Sequence, residues 1–255
     1  MSENNRHSGL RRWTRRLGLT LLGLLVVGLL LRLSLKSSLV HNWVRAVVVD
    51  TANQQLNAEL AIDRLSGDLW NELTISGIRL TQNKNDTVAQ IDSVHAAYNI
   101  WALLEGRIEV SNIGIYRPRL NVRQQQGTWN VSTLTKVSDD TAVGESTLAF
   151  DLQDLHLHEG RVSVQSDSLP VEPNFEISGL GVSSSFFYSS EGFDFDLREL
   201  VFQLKETKLN EPLTVQTAAK GQQNRITLEK LVLATSNSML RSSGFASATD
   251  FGAAA

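Results

Sequence analysis

Leu73–Leu80 reads LTISGIRL, and the order of its apolar residues decides the fold class. Leu73 and Ile75 alternate, as do Ile78 and Leu80, so each pair lines one side of a β-strand. The two residues between the pairs, Ser76 and Gly77, would turn the second pair to the opposite side of a regular strand. A β-bulge removes the conflict: one extra residue leaves all four side chains on one face of a bent strand.

The same order recurs along the chain. IEVSNIGI carries it at Ile108, Val110, Ile113 and Ile115, and FDLQDLHL at Phe150, Leu152, Leu155 and Leu157. FEISGLGV repeats it at Phe175, Ile177, Leu180 and Val182, and FDLRELVF at Phe195, Leu197, Leu200 and Phe202. ITLEKLVL completes the set with Ile226, Leu228, Leu231 and Leu233. AQIDSVHA (89–96) is a weaker copy, and Leu60, Ile62 and Leu65 begin another. The full copies start at residues 73, 108, 150, 175, 195 and 226. Such irregular spacing excludes a solenoid with fixed rungs and predicts a long antiparallel meander with variable hairpins. Turn-forming residues fall between the copies, at Asn83–Asp86, Gly106, Gln124–Gly127, Asp139–Gly144, Asp167–Pro173, Ser189–Gly192, Asn210–Pro212 and Gly221–Asn224. Ile100–Leu104 alone resembles a helical turn within this region.

The intervening positions are Asp, Glu, Lys, Arg, Gln and Ser, as expected for a sheet wetted on one face. Two arrangements suit the apolar face. A second sheet would cover it in a sandwich, which composition favours because large exposed apolar faces are costly. A sheet curled into an open trough would leave it free for apolar ligands.

Upstream, Leu17–Leu31 reads LGLTLLGLLVVGLLL, fifteen residues with no charge. As a helix it is roughly 22 Å long at about 1.5 Å per residue, against a bilayer core of roughly 30 Å. Extension to Leu35 adds a turn and takes in Arg32, whose long side chain can snorkel to the headgroups. The following RLSLKSSLVHNW has no small-residue cleavage site, so an uncleaved signal anchor is expected. Residues 1–36 hold seven basic side chains and one acid, a net +6, against 17 basic and 26 acidic in the remainder, a net −9. Five Arg precede the apolar run, which places residues 1–16 in the cytoplasm and the body of the chain outside it. Val40, Trp43, Val44, Val47 and Val48 then recur at helical spacing, with Ser37 or Ser38 as a cap. That short helix either packs its stripe on the next domain or lies on the membrane or at the groove mouth. The organisation expected is a basic tail (1–16), an anchor (17–35), a short juxtamembrane helix or linker (36–57) and a β region (58–255).

Sites for covalent chemistry are not evident. The chain has no Cys, which excludes thiol nucleophiles, zinc ribbons and disulfide scaffolds. His156 and His158 alternate on one strand side beside Glu159, a pattern that reads as solvent-facing rather than metal-binding. SSSFFYSS (183–190) lacks a nucleophile context, and Gly179–Gly181 lacks the third Gly and the helix of a dinucleotide loop. Asp151, Asp154, Asp194 and Asp196 fall on polar strand positions. No enzyme, cofactor or metal is expected, and the overall charge of −3 argues against nucleic acid as a partner. Trp43 is placed to anchor at a membrane interface. Trp70, Trp101 and Trp129 are assigned to the groove bottom or to strand ends.

Several segments in combination resemble the amino-terminal region of the AsmA-like envelope proteins, and of the TamB family among them. They are Ile62–Gly67, Leu73–Leu80, LLEGRIEV at Leu103–Val110, YRPRLNV at Tyr116–Val122 and Gly127–Trp129. The likeness runs from about residue 15 to 135, and the repeated strands extend it to about 245. It implies a β-taco, a curled sheet anchored in the inner membrane and standing in the periplasm. The apolar groove of such a sheet carries phospholipid toward the outer membrane and supports envelope assembly. It also implies an outer-membrane barrel as partner, met through a carboxy-terminal domain that this sequence lacks. The competing expectation is an envelope scaffold with a closed β ectodomain.

Overall fold

The computed structural model describes residues 38–82, 86–134, 136, 149–166, 175–189, 192–206, 209, 211–222 and 225–247. The basic tail and the expected anchor lie outside these residues. No helix among the described residues is long and apolar enough to cross a membrane.

Helix α1 (Ser38–Gln55) is followed by β1 (Glu59–Gly67), β2 (Glu72–Gln82) and β3 (Asp86–Asn99). A 3-10 turn (Ile100–Glu105) leads to β4 (Arg107–Tyr116), β5 (Arg119–Gln125), β6 (Thr128–Trp129) and a second 3-10 turn (Asn130–Thr133). Then come β7 (Ala149–Ser166), β8 (Phe175–Ser189), β9 (Gly192–Glu206), β10 (Leu213–Gln222), β11 (Arg225–Ala234) and β12 (Met239–Ser247). All twelve strands belong to one sheet, ordered β1-β2-β3-β4-β7-β8-β9-β10-β11-β12, with β5 beside β3, β6 and β7.

The sheet is mixed, which corrects the expectation of an antiparallel meander. β7 pairs in parallel with β4 and with β5, from Arg107↔Ala149 to Gln124↔Ser166. The offset is 42 residues throughout, so β4 and β5 act as one long strand broken at Arg117–Pro118. Two backbone bonds carry the ladder across the break: Arg117 N–H donates to His158 O and Arg161 N–H to Pro118 O, both at 2.8 Å. β5 therefore ends at the opposite end of the sheet from the start of β7. The chain must return before β7 begins, and a strand that restarts at the same end runs parallel.

The bulges form lines across the sheet. Residues with positive φ fall at one level of the sheet: Gly77 (67°), Arg117 (48°), Glu159 (55°) and Gly179 (61°), with Arg117 opposite Glu159, and Glu159 and Gly179 flanking the Gly160–Leu180 pair. Asp92 of β3 faces both Gly77 and Arg117, by the registers on either side of it. A second line crosses β4 and β7, where the ladder passes from Val110↔Leu152 to Ile113↔Leu155. It continues at Ser185 of β8, Arg198 of β9, Ala218 of β10 and the Glu229–Lys230 step of β11. A lone bulge would throw one strand out of phase with its partner. Aligned bulges bend the sheet as a unit, and every strand changes phase at the same level.

Helix α1 packs on the outer edge of β1 through its polar residues. Arg45 Nη1 donates to the carbonyls of Ile62 and Asp63 at 2.9 and 3.2 Å. Asn53 Oδ1 accepts from Leu60 N–H at 2.6 Å, and its Nδ2 donates to Leu60 O at 3.3 Å. His41, which is 6% exposed, brings Nε2 to 2.9 Å from Gly67 O. The predicted packing stripe is thereby corrected: Trp43, Val47 and Val48 are 67, 44 and 43% exposed. The helix meets an open strand edge, whose unpaired N–H and C=O groups need polar partners that a Val–Trp stripe cannot supply.

Candidate functional site

The register gathers the repeated apolar residues onto one side of the sheet, because directly opposed residues share a face. One row runs Leu65–Ile75–Val94–Ile115–Leu157–Val182–Leu200–Thr217–Leu231. A second runs Leu73–Ala96–Ile113–Leu155–Ser184–Leu197–Ala219–Leu228. Beyond one line of bulges, Ile78 faces Ile62 and Ile91, and Leu80 faces Leu60 and Ala89. On the same side Ile177 faces Val162 and Leu204, and Phe175 faces Val164. Leu180 stands opposite Gly160, and Phe202 faces Val215, which in turn faces Leu233. Beyond the other line, Ile108 and Val110 face Phe150 and Leu152, Phe195 faces Phe186, and Ile226 faces Gly221. Every apolar residue of the six copies thus takes a place on this face.

Several members carry no repeat of their own. Phe186 pairs with both Leu152 and Phe195, and Tyr188 pairs with Phe150 and Phe193. FFY is not an alternating string, so its two face residues escape a search by period. β10 contributes Thr217, Ala219 and Gly221, which are too small or too polar to register as apolar. Gly221 leaves the room that Phe195 fills: a Cβ there would strike the Phe195 ring.

The face is not enclosed. Of the predicted residues, Leu152 is buried at 8% exposure and Ile226 is exposed at 38%, while the others are half-buried. Polar neighbours on the other side, such as Thr74 and His95, are half-buried as well. In-plane contact between adjacent strands shields the flanks of the side chains on both sides, and neither side has the burial of a sandwich interior. The three Trp assigned to the groove bottom or to strand ends sit at strand ends. Trp70 lies in the β1–β2 turn, edge-on to Trp101 with ring centroids 5.3 Å apart, and Trp129 is in β6.

The opposite side carries cross-strand ion pairs. Arg79 meets Asp63 and Arg117 meets Asp92, both at 2.6 Å, Lys220 meets Glu229 at 2.9 Å, and Arg161 meets Glu176 at 3.3 Å. These pairs are solvent-exposed, so each is worth at most about 1 kcal/mol. A recess of about 640 Å³ on this side has Asp151, Asp194, Asp196, Lys220 and Arg225 in its lining. The Lys220 ammonium pKa is raised there, chiefly by its bond to Glu229 and by the charge of Asp196.

His156 and His158 stack with centroids 5.8 Å apart, and His158 stacks on Tyr116 at 5.0 Å. Among the described residues no group of three His, Asp or Glu side chains has a metal-holding arrangement. Asp154 joins His156 to Arg198. Desolvation pushes the Asp154 pKa up, but hydrogen bonds from His156 and Arg198 outweigh it and hold the pKa below the ordinary carboxylate value. A depressed folded-state pKa adds stability that is present above the unfolded value and lost as pH falls through the folded one. The Arg198→Ala variant should therefore raise the Asp154 pKa in an NMR titration. Its cost in denaturation should be below about 1 kcal/mol at neutral pH and should vanish in acid.

The arrangement can hold an unshaped apolar ligand against a long wall, with water on the far side. Neither a family model nor a curated protein matches the chain.

Proposed function

We propose that this protein is an inner-membrane-anchored periplasmic groove that conducts phospholipid along its apolar sheet face. What supports the reading is one observation: two rows of side chains, apolar but for Ser184 and Thr217, cross strand after strand and are left largely half-exposed. Water-facing apolar area carries a penalty of about 25 cal/mol per Å². A bound acyl chain removes that penalty while demanding no particular side-chain geometry. The headgroup stays in water at the open rim, and no residue does covalent chemistry. The resemblance to AsmA-like proteins and the uncharged run Leu17–Leu31 supply the anchor and the direction, away from the inner membrane.

Photo-crosslinking amino acids at Leu155 and Leu197 in the membrane-bound chain test the reading. Both positions should trap phospholipid, and a crosslinker at Glu199 on the other face should not. An absence of lipid at Leu155 and Leu197 overturns lipid conduction and leaves an envelope scaffold.

A further inference from the structure

Trp43 and Val47 lie on the side of α1 turned away from β1. At 100° per residue, the docking residues His41, Arg45 and Asn53 occupy one arc of the helix, and Trp43 and Val47 fall opposite its middle. The exposures agree: 6% at His41 against 67% at Trp43 and 44% at Val47. Val40, one turn before Trp43, extends the strip toward the amino terminus, while Asp50 and Gln54 replace it in the last turns. The apolar part of the outward face is therefore confined to the half of α1 nearest the uncharged run. Leu35, the end of the extended run, precedes Ser38 by three residues, a tether of about 10 Å at full extension.

We propose that α1 lies in the lipid headgroup layer, with Val40, Trp43 and Val47 sunk toward the acyl chains and β1 carried on its opposite side. This rests on the anchored reading above and adds to it a geometry. The occupant of the strip is the lipid surface. A helix tethered within about 10 Å of a membrane span meets lipid at far higher effective concentration than any soluble partner. Trp at such a position takes the interfacial place that its amphipathic ring prefers. The polar docking face fits the same arrangement, since Arg45, Asn53 and His41 close the edge of β1 and leave the apolar residues for the membrane. The strand stack then leaves the bilayer from β1 onward, and its apolar face starts one helix diameter from the lipid.

The absence of Cys gives a direct test. Single cysteines placed in the full chain at 42, 43, 46, 47, 50 and 54 are spin-labelled in phosphatidylethanolamine–phosphatidylglycerol vesicles. Accessibility to oxygen and to a water-soluble nickel chelate then reports depth at each site. Labels at 43 and 47 should be deepest and those at 50 and 54 wet, with a helical period between them. Lys205→Cys, on the sheet, serves as the wet control. A chain that floats with the vesicles but leaves 43 and 47 as wet as 205 overturns this placement alone. Labels at 43 and 47 shielded from both reagents also overturn it, in favour of a protein cover. A chain that does not float overturns the anchor and this inference together. Lipid conduction is read separately, by the crosslinks at Leu155 and Leu197.

Discussion

The Ile113→Arg variant should divide the groove in two. Ile113 stands in the second row, between Ala96 of β3 and Leu155 of β7. Its neighbours on the same face are Val110 and Ile115, so a guanidinium there has no acidic partner at hand. An acyl chain passing this point would have to desolvate the charge or leave the wall, at a cost of several kcal/mol. Each 1.36 kcal/mol is tenfold in rate, so passage should fall by at least about tenfold. Photo-crosslinkers on either side report it. Phospholipid should still be trapped at Ile75, in β2, while trapping at Leu197 and Leu228 drops. Equal trapping on both sides of Arg at 113 would mean that lipid reaches the face from the open rim instead of along the rows. Because Ile113 is only half-buried, the charge can reach water and the fold should survive. Circular dichroism of the same sample checks this.

Which features were legible follows from how each is encoded. The two-residue gap in LTISGIRL has a local cause, so the bulge and the common face could be derived from Leu73, Ile75, Ile78 and Leu80 alone. That the bulges align is a property of register, and nothing in β2 by itself says where β3 bends. Gly77 and Gly179 advertise their positive φ, whereas Arg117 and Glu159 adopt it without any such signal. They are held there by the neighbours that bend at the same level. The parallel pairing of β7 depends on where the chain returns after β5, which no strand pattern records. The face that α1 turns to the sheet is not legible in its pattern, because an amphipathic stripe is expected to meet an apolar surface. Its partner is the hydrogen-bonding edge of β1, and the stripe remains outside.

Gly77→Ala should be a costly single methyl, because strain and a collision fall on the same residue. Gly77 has φ near 67°, where a side chain costs roughly 1–2 kcal/mol. A Cβ there would also collide with the carboxylate of Asp63, which pairs with Arg79 at 2.6 Å. Gly179 separates the two contributions. Its φ is 61°, yet a Cβ would meet nothing within 4 Å, so Gly179→Ala carries the strain alone. Urea denaturation should show a loss of about 3 kcal/mol for Gly77→Ala and about 1–2 kcal/mol for Gly179→Ala. In an Asp63→Ala background the two costs should converge, because the collision is gone and only strain is left. Function should follow the same order. If residue 77 relaxes to an extended φ, the phase change between Ile75 and Ile78 is lost. One pair of apolar side chains then points to the ion-paired side, and both rows break at β2. A crosslinker at Ile75 in the Gly77→Ala variant should trap less lipid, and Asp63→Ala should restore part of that trapping. Equal losses for the two alanine variants would sink the claim that Asp63 fills the space over Gly77.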